Sequence, residues 1–384
     1  MERDAGLLHK EPLWTRDFIL ISISSLLIFT GFQMLLPVLP IFSIELGGSD
    51  VLAGMVMGIF TVSAVIMRPI AGRLLDRKGR KGIFLIGLIV TVISVFAHNW
   101  VPTVFILLIL RFIHGFGWGA SSTASSTVAS DVIPKSRLGE GMGFFGLTGT
   151  LGMAMGPAFG LWLLKDYDFS TVFYISAGMV LVSIIIALPI KYVKPEQALE
   201  PDKKGIIEKT ALLPAIVIFF ITMNYGSILS FIALYANQKE VENIGLYFMV
   251  YAAALLVSRP YFGRLTDRKG PSFAVYPGII CVTLSVVLIY YANSLTAFLI
   301  AGFIYGIGFG AIQPALLAMS VRNVSYSRRG AANATFYLGF DLGIGAGSVI
   351  WGIIAEYFGY QIIYLISIIP IIVGALVYIR SRNK

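Results

Sequence analysis

The chain has 384 residues, 57% of them hydrophobic and only 13% charged, and its mean hydropathy is +0.84. A water-soluble protein of this length needs far more polar surface to cover its core, so a soluble globular fold is excluded. The net charge of +9 would suit a nucleic-acid-binding protein, but the cations sit in short loops between long apolar runs, which excludes that reading.

Apolar runs of 17 or more residues recur along nearly the whole chain, each long enough to cross a hydrocarbon layer about 30 Å thick as a helix. Backbone polar groups in lipid must be satisfied within the segment or in a closed barrel. These runs are continuous and Gly-rich, without the alternation of a membrane barrel, so the expected class is an all-α membrane protein. Twelve spans are predicted, at about 18–42, 51–71, 82–98, 103–124, 141–164, 172–190, 211–236, 244–262, 272–292, 295–319, 331–354 and 361–379. The first follows a polar stretch of about seventeen residues with no small-residue cleavage site behind a short apolar core, so it reads as a retained helix. Between the second and third spans lies "GRLLDRKGRK", residues 72–81, with six charges in ten positions. The polar segment 191–209, "KYVKPEQALEPDKKGIIEK", carries Pro and charge and reads as a linker. It divides the chain into a first bundle over 1–192, a linker over 193–209 and a second bundle over 210–384. The single cysteine, Cys281, falls within the ninth span, which excludes an internal disulfide framework.

If both termini are cytoplasmic, 24 of the 29 Lys and Arg lie in inner segments. That asymmetry follows the positive-inside rule, so both termini are expected inside, in a multi-pass protein of the cell membrane. Sliding the chain against itself by 191 residues places "MRPIAGRLLDRKG" (67–79) over "SRPYFGRLTDRKG" (258–270), with nine of thirteen positions identical. At the same offset "LRFIHGFGWGA" (110–120) lies over "AGFIYGIGFGA" (301–311), with six of eleven identical. Two six-helix repeats in the same orientation are a transporter architecture, with substrate held between the halves near the midplane.

These stretches resemble the major facilitator superfamily. Gly72, Arg73, Asp76, Arg77, Gly79, Arg80 and Lys81 look like its inner-loop signature, and Gly263, Asp267 and Arg268 belong to the degraded second copy. "RFIHG", Arg111 to Gly115, resembles the fourth-helix motif, with His114 where many relatives carry glutamine. "GMAMGPAFG", residues 152–160 with Gly152, Gly156, Pro157 and Gly160, resembles the fifth-helix motif of antiporters, and "LLPVLP", 35–40, the first-helix motif of drug/proton antiporters. The resemblance implies two six-helix bundles, a fifth helix that shapes the cavity and limits leakage, and a functional monomer without a bound cofactor, driven by the proton gradient.

The residues themselves support further expectations. Asp76 is expected just before a helix that begins near Gly82, where a carboxylate meets the positive helix end. Arg77, Arg80 and Lys81 are then within reach of Asp131, forming a cytoplasmic latch that makes and breaks; cations that merely set topology are the alternative. Glycines four apart in the fifth span mark close helix contact, and Pro157 a bend. Ionisable groups inside a membrane are functional candidates by default, which singles out Arg111, His114 and Asp341. Asp341 aligns with Thr150 and His114 with Tyr305, so each charge occurs in one half only. Asp341 reads as the proton-binding carboxylate or as the fixed partner of an inner cation. Arg111, which keeps its proton, attracts either Asp341 or an anionic substrate group, or else bridges to backbone carbonyls. His114 reads as a relay or as a packed core histidine. Gln33, Trp118, Asn224, Tyr225, Tyr305 and Gln313 fill out the candidate cavity, whereas Arg68 and Arg259 read as snorkelling or loop-bound cations and Glu356 as interfacial.

The reading favoured by these features is proton-coupled export of a small organic molecule. An uptake carrier for a sugar, carboxylate or other anionic metabolite is the alternative on the same fold. A membrane sensor or scramblase is the alternative outside transport. No catalytic constellation, metal-ligand cluster or GxxxxGK[ST] loop is visible, so an enzyme or ATP-driven pump is not expected.

Overall fold

The structure, a computed structural model, describes residues 12–134, 137–192, 207–322, 324 and 329–382. Most of the expected linker, and the side chains of Asp76, Arg77 and Asp267, lie outside that description. The described residues form helices without strands. The first half comprises α1 (Arg16–Glu45), α2 (Asp50–Lys78), α3 (Arg80–Ala97), α4 (Val104–Val132), α5 (Leu138–Asp166) and α6 (Phe169–Ala187). A single 3-10 turn at Lys209–Ala211 leads into α7 (Leu212–Gln238), α8 (Gly245–Lys269), α9 (Ser272–Tyr291), α10 (Leu295–Arg322) and α11 (Arg329–Phe358). The last span is split into α12 (Tyr360–Ile366) and α13 (Ile368–Arg382).

Eleven of these segments are long and apolar enough to cross a membrane, and α8 stands in the place of the remaining span. Its second half carries Arg259, Arg264, Asp267, Arg268 and Lys269, which lowers its mean hydropathy. The helices run longer than the apolar runs predict, because helical backbone continues into the charged loops. Polar caps start several of them: Thr15, Ser49, Thr103 and Asp168 each accept a backbone N–H from the first turn of the helix they precede. The hydroxyl and backbone N–H of Thr171 both donate to Asp168, holding that exposed carboxyl below the usual carboxylate range. The twelfth span breaks at Ser367 because Pro370 lacks the N–H that would bond the carbonyl of Ile366.

The repeat is visible in the packing. Within the first half α1 packs on α5 and α6, α2 on α4, and α3 on α4 and α6. Within the second, α7 packs on α11 and α13, α8 on α10, and α9 on α10, α12 and α13, the same pairings moved on by six helices. Three pairs join the halves most closely: α2 with α11, its counterpart α5 with α8, and α1 with α7.

Two turns repeat as well. Gly79 between α2 and α3 has φ +89°, and Gly270 between α8 and α9 has φ +95°. Side chains are strained in that region, so glycine lets the long helix reverse sharply into the next. This turn corrects one expectation: Asp76 lies in the last turn of α2 and not at the start of α3. The N-cap position of α3 is held by Gly79, which makes no side-chain cap hydrogen bond.

The fifth-helix glycines lie against α1. A Cβ at Gly156 would stand 2.9 Å from the Thr30 carbonyl oxygen, and one at Gly160 2.4 Å from that of Met34. Their counterparts in α11 do the same to α7, with 2.3 Å from Gly343 to the Phe219 oxygen and 2.3 Å from Gly347 to that of Met223. Backbones that approach so closely leave no room for a methyl group, so small residues fix these seams.

Candidate functional site

The even number of membrane crossings brings both described chain ends to one face, called the terminal end below. At the opposite, far end the halves are tied together. The backbone N–H of Val51 donates to Glu356 Oε2 at 3.1 Å, and the Tyr360 hydroxyl to Asp50 Oδ1 at 2.6 Å. On the other side of the molecule Lys165 Nζ donates to Asn243 Oδ1 at 2.8 Å and lies 3.9 Å from Glu242. Glu356, exposed near the end of α11, thus bridges the halves. Beneath these contacts Gly54 of α2 meets α11 so closely that a Cβ would stand 2.2 Å from the Ser348 carbonyl oxygen. Gly54→Leu is therefore expected to wedge the far end open. Spin labels at Tyr167→Cys and Tyr357→Cys, in a Cys281→Ser background, should report a longer distance in the variant than in the parent. An unchanged distance would mean that the seam absorbs the side chain.

Nearer the terminal end two arginines cross between the halves. Arg68 Nη2 of α2 lies 2.7 Å from Asp341 Oδ2 of α11, with both side chains partly exposed. Arg259 of α8 donates to Thr150 Oγ1 of α5 and to Gln313 Oε1 of α10. Arg259 is Arg68 moved on by 191 residues, and Thr150 is Asp341 moved back by the same step. The repeat therefore places the same cross-half contact twice, once as an ion pair and once as a neutral hydrogen bond. Arg68 stands ten residues from the end of α2, about 15 Å in, and Asp341 twelve from the start of α11, about 18 Å in.

This arrangement corrects the reading of Arg68 and Arg259 as snorkelling cations. It also separates Arg111 from Asp341. Arg111 is 1% exposed, donates from Nε to the Val56 carbonyl at 3.1 Å and from Nη1 to His114 Nδ1 at 3.0 Å, and stands 4.1 Å from the centroid of the Phe60 ring. The structural-bridge alternative describes these contacts, and a side chain so enclosed lines no cavity in this conformation. Since guanidinium only donates, His114 Nδ1 must accept, and its fully buried ring packs edge-on against Phe32 and Phe60.

Other expected cavity residues are also enclosed. Trp118 stacks on Phe32 at 4.0 Å and meets Phe29 edge-on at 5.0 Å. Asn224, wholly buried, donates to Ser367 Oγ and accepts from the Tyr305 hydroxyl at 3.0 Å. Tyr225 and Tyr305 each stack on Phe309, at 5.0 and 6.0 Å. Buried Gln33 has an Oε1 without a partner among the described residues. Gln313 alone of this set touches a cross-half arginine.

The expected latch has its pair, made within one half. Arg80 Nε donates to Asp131 Oδ2 at 2.8 Å and Nη1 to the Leu75 carbonyl at 3.0 Å, tying together the ends of α2, α3 and α4. Lys81 lies 5.9 Å over the Tyr192 ring. Arg73 and Arg268 are exposed, and a Cβ at Gly72 or Gly263 would meet open space.

Two homologous helical halves joined around cross-half polar bridges define a multi-pass membrane transporter, and comparison with known proteins agrees. The family model described as Major Facilitator Superfamily matches residues 21–276 and 214–384, and the chain belongs to that family. It is 25% identical over 387 residues to an uncharacterized MFS-type transporter of Methanocaldococcus jannaschii, covering 96% of this chain and 99% of the relative. It is 26% identical to the multidrug resistance protein MdtG of Serratia proteamaculans, over 94% of this chain and 92% of that protein. Among solved structures, a bacterial homolog of the human lysosomal transporter Spinster superposes with a TM-score of 0.80 at 16% identity, covering 95% of this chain and 96% of that one. The nucleoside transporter NupG superposes at 0.74 and 16% identity, covering 95% and 99%.

Proposed function

We propose that this protein exports a small organic molecule across the plasma membrane in exchange for protons, by alternating access between its two halves. The observation that carries the reading is the Arg68–Asp341 pair, a titratable carboxylate within the spans that bridges the halves and whose counterpart in the repeat is the neutral Thr150. A proton and the Arg68 guanidinium compete for the same carboxylate, and only one geometry of the halves brings Arg68 to it. Proton binding and the direction the cavity faces are thereby linked, and linkage of this kind is reciprocal. With the cation-rich terminal end cytoplasmic, the far-end bridges correspond to a closed outer side. A proton taken up from outside would then be given to the inside as closure brings Arg68 to Asp341.

Export is favoured by the resemblance of the α5 motif, residues 152–160, to that of antiporters and by the relatives named multidrug resistance protein MdtG. The same fold is shared with a nucleoside transporter and with an organic anion transporter, so uptake is the second reading. The test is transport by purified protein in proteoliposomes under an imposed pH gradient, screened with cationic dyes, sugars and organic anions. Concentration of a compound in the acidic compartment, collapsing with the gradient, is expected. Transport indifferent to the gradient would remove proton coupling, and accumulation away from the acidic side would establish uptake.

A further inference from the structure

The two cross-half bridges are related by the repeat, yet their charges do not match. On one side Arg68 is neutralised by Asp341; on the other Arg259 meets only the neutral oxygens of Thr150 and Gln313. No carboxylate is paired with Arg259 among the described residues, and its Nε has no hydrogen-bond partner there. An uncompensated guanidinium within a membrane protein is costly and is by default a candidate site for an anion. Arg259 is half-buried, whereas the other span-embedded arginine without a described carboxylate partner, Arg111, is sealed by protein. Of the two, Arg259 is the less enclosed.

Its surroundings add a second feature. The phenols of Tyr251, Tyr337 and Tyr225 lie within electrostatic range of Arg259. Tyr225 and Tyr251 belong to a group of rings that includes Phe309, which meets Phe340 at 6.2 Å, and Phe340 in turn meets Tyr337 at 6.2 Å. A cation fixed beside an aromatic cluster, of which Tyr337 is the exposed ring, suits a ligand with an anionic group on a flat apolar body. The geometry points to Arg259 as the anchor of a substrate subsite for small aromatic organic anions, in which the substrate supplies the carboxylate-like partner that Asp341 supplies on the opposite side. This deepens the export reading and rests on it for the claim that the ligand is cargo.

The test compares three probes of one shape: 1-naphthalenesulfonate, the neutral 1-naphthalenesulfonamide and the cationic 1-naphthyltrimethylammonium. Binding to the parent in lipid nanodiscs should favour the sulfonate by about tenfold or more, the worth of one charge-assisted bond. Thr150→Asp places an internal partner at the position where Asp341 stands in the other half, so it should erase that preference while the protein keeps its parent elution volume and thermal midpoint. Arg259→Gln should erase it as well. Equal binding of all three probes, no binding, a preference for the cation, or a preference that survives both variants would each overturn the subsite. Proteoliposome transport separates this from the export reading. Sulfonate binding lost in Thr150→Asp, with no movement driven by the pH gradient, would leave the subsite and remove the antiport. Gradient-driven export of the cation alone would do the reverse.

Discussion

Asp341→Asn is expected to abolish concentration of cargo against its gradient while cargo still exchanges down one. The substitution keeps the shape of the side chain and removes both the proposed proton site and the charge that holds Arg68 at 2.7 Å. Without a carboxylate the halves lose the contact that is made in one arrangement and broken in the other, so the cavity faces either side regardless of pH. Cargo equilibrates and is no longer driven. The measurement is initial rate and final accumulation at several imposed pH gradients. The parent should show accumulation that rises with the gradient; the variant should level at equal concentrations inside and out at every gradient. An asparagine variant that concentrates cargo as the parent does would remove Asp341 as the coupling acid. His114 would be tested next, although its ring is sealed among Arg111, Phe32 and Phe60.

The second large effect falls on stability. Arg111 fills a site with 1% exposure, and its guanidinium joins α4 to α2 through the Val56 carbonyl and the Phe60 ring. Arg111→Ala empties that volume, leaves His114 Nδ1 without its donor and removes the contact with the ring. A loss of about 3 kcal/mol is expected from the cavity and the orphaned acceptor together. Arg111→Met restores most of the volume without burying a charge, so it should recover most of the thermal midpoint in detergent. Substrate affinity of the folded methionine variant should match the parent. Reduced affinity at parent stability would place Arg111 against the substrate in another conformation.

Much of the architecture is legible in the chain because membrane physics leaves few alternatives. Apolar runs of bilayer length must be helices, and a 191-residue offset that matches nine of thirteen positions must be two halves in the same orientation. The glycines of the fifth span and Pro370 speak through local rules, one permitting close approach and the other breaking a helix. Charges inside the spans are also plain in the sequence, and so is the difference between Asp341 and Thr150 at equivalent positions.

Which of those charges meet was decided by the tertiary structure. Depth along a helix can be counted from its ends, and by that count Arg111 and Asp341 lie at matching depths. Facing cannot be counted, because partners across a bundle depend on how each helix is rotated and on which helices adjoin. The packing of α4 on α2 turned Arg111 toward a backbone carbonyl within its own half, and the packing of α2 on α11 gave Asp341 to Arg68. The same tertiary step made Arg259 the counterpart of Arg68 without a counter-charge, although both arginines stand before proline in the repeated motif. Asp76 shows the limit at short range as well, since α2 continues through the charged loop until Gly79 turns the chain. Local chemistry in the sequence determined the elements and their number; long-range rotation and adjacency, which no local pattern encodes, decided the pairs on which transport is proposed to turn.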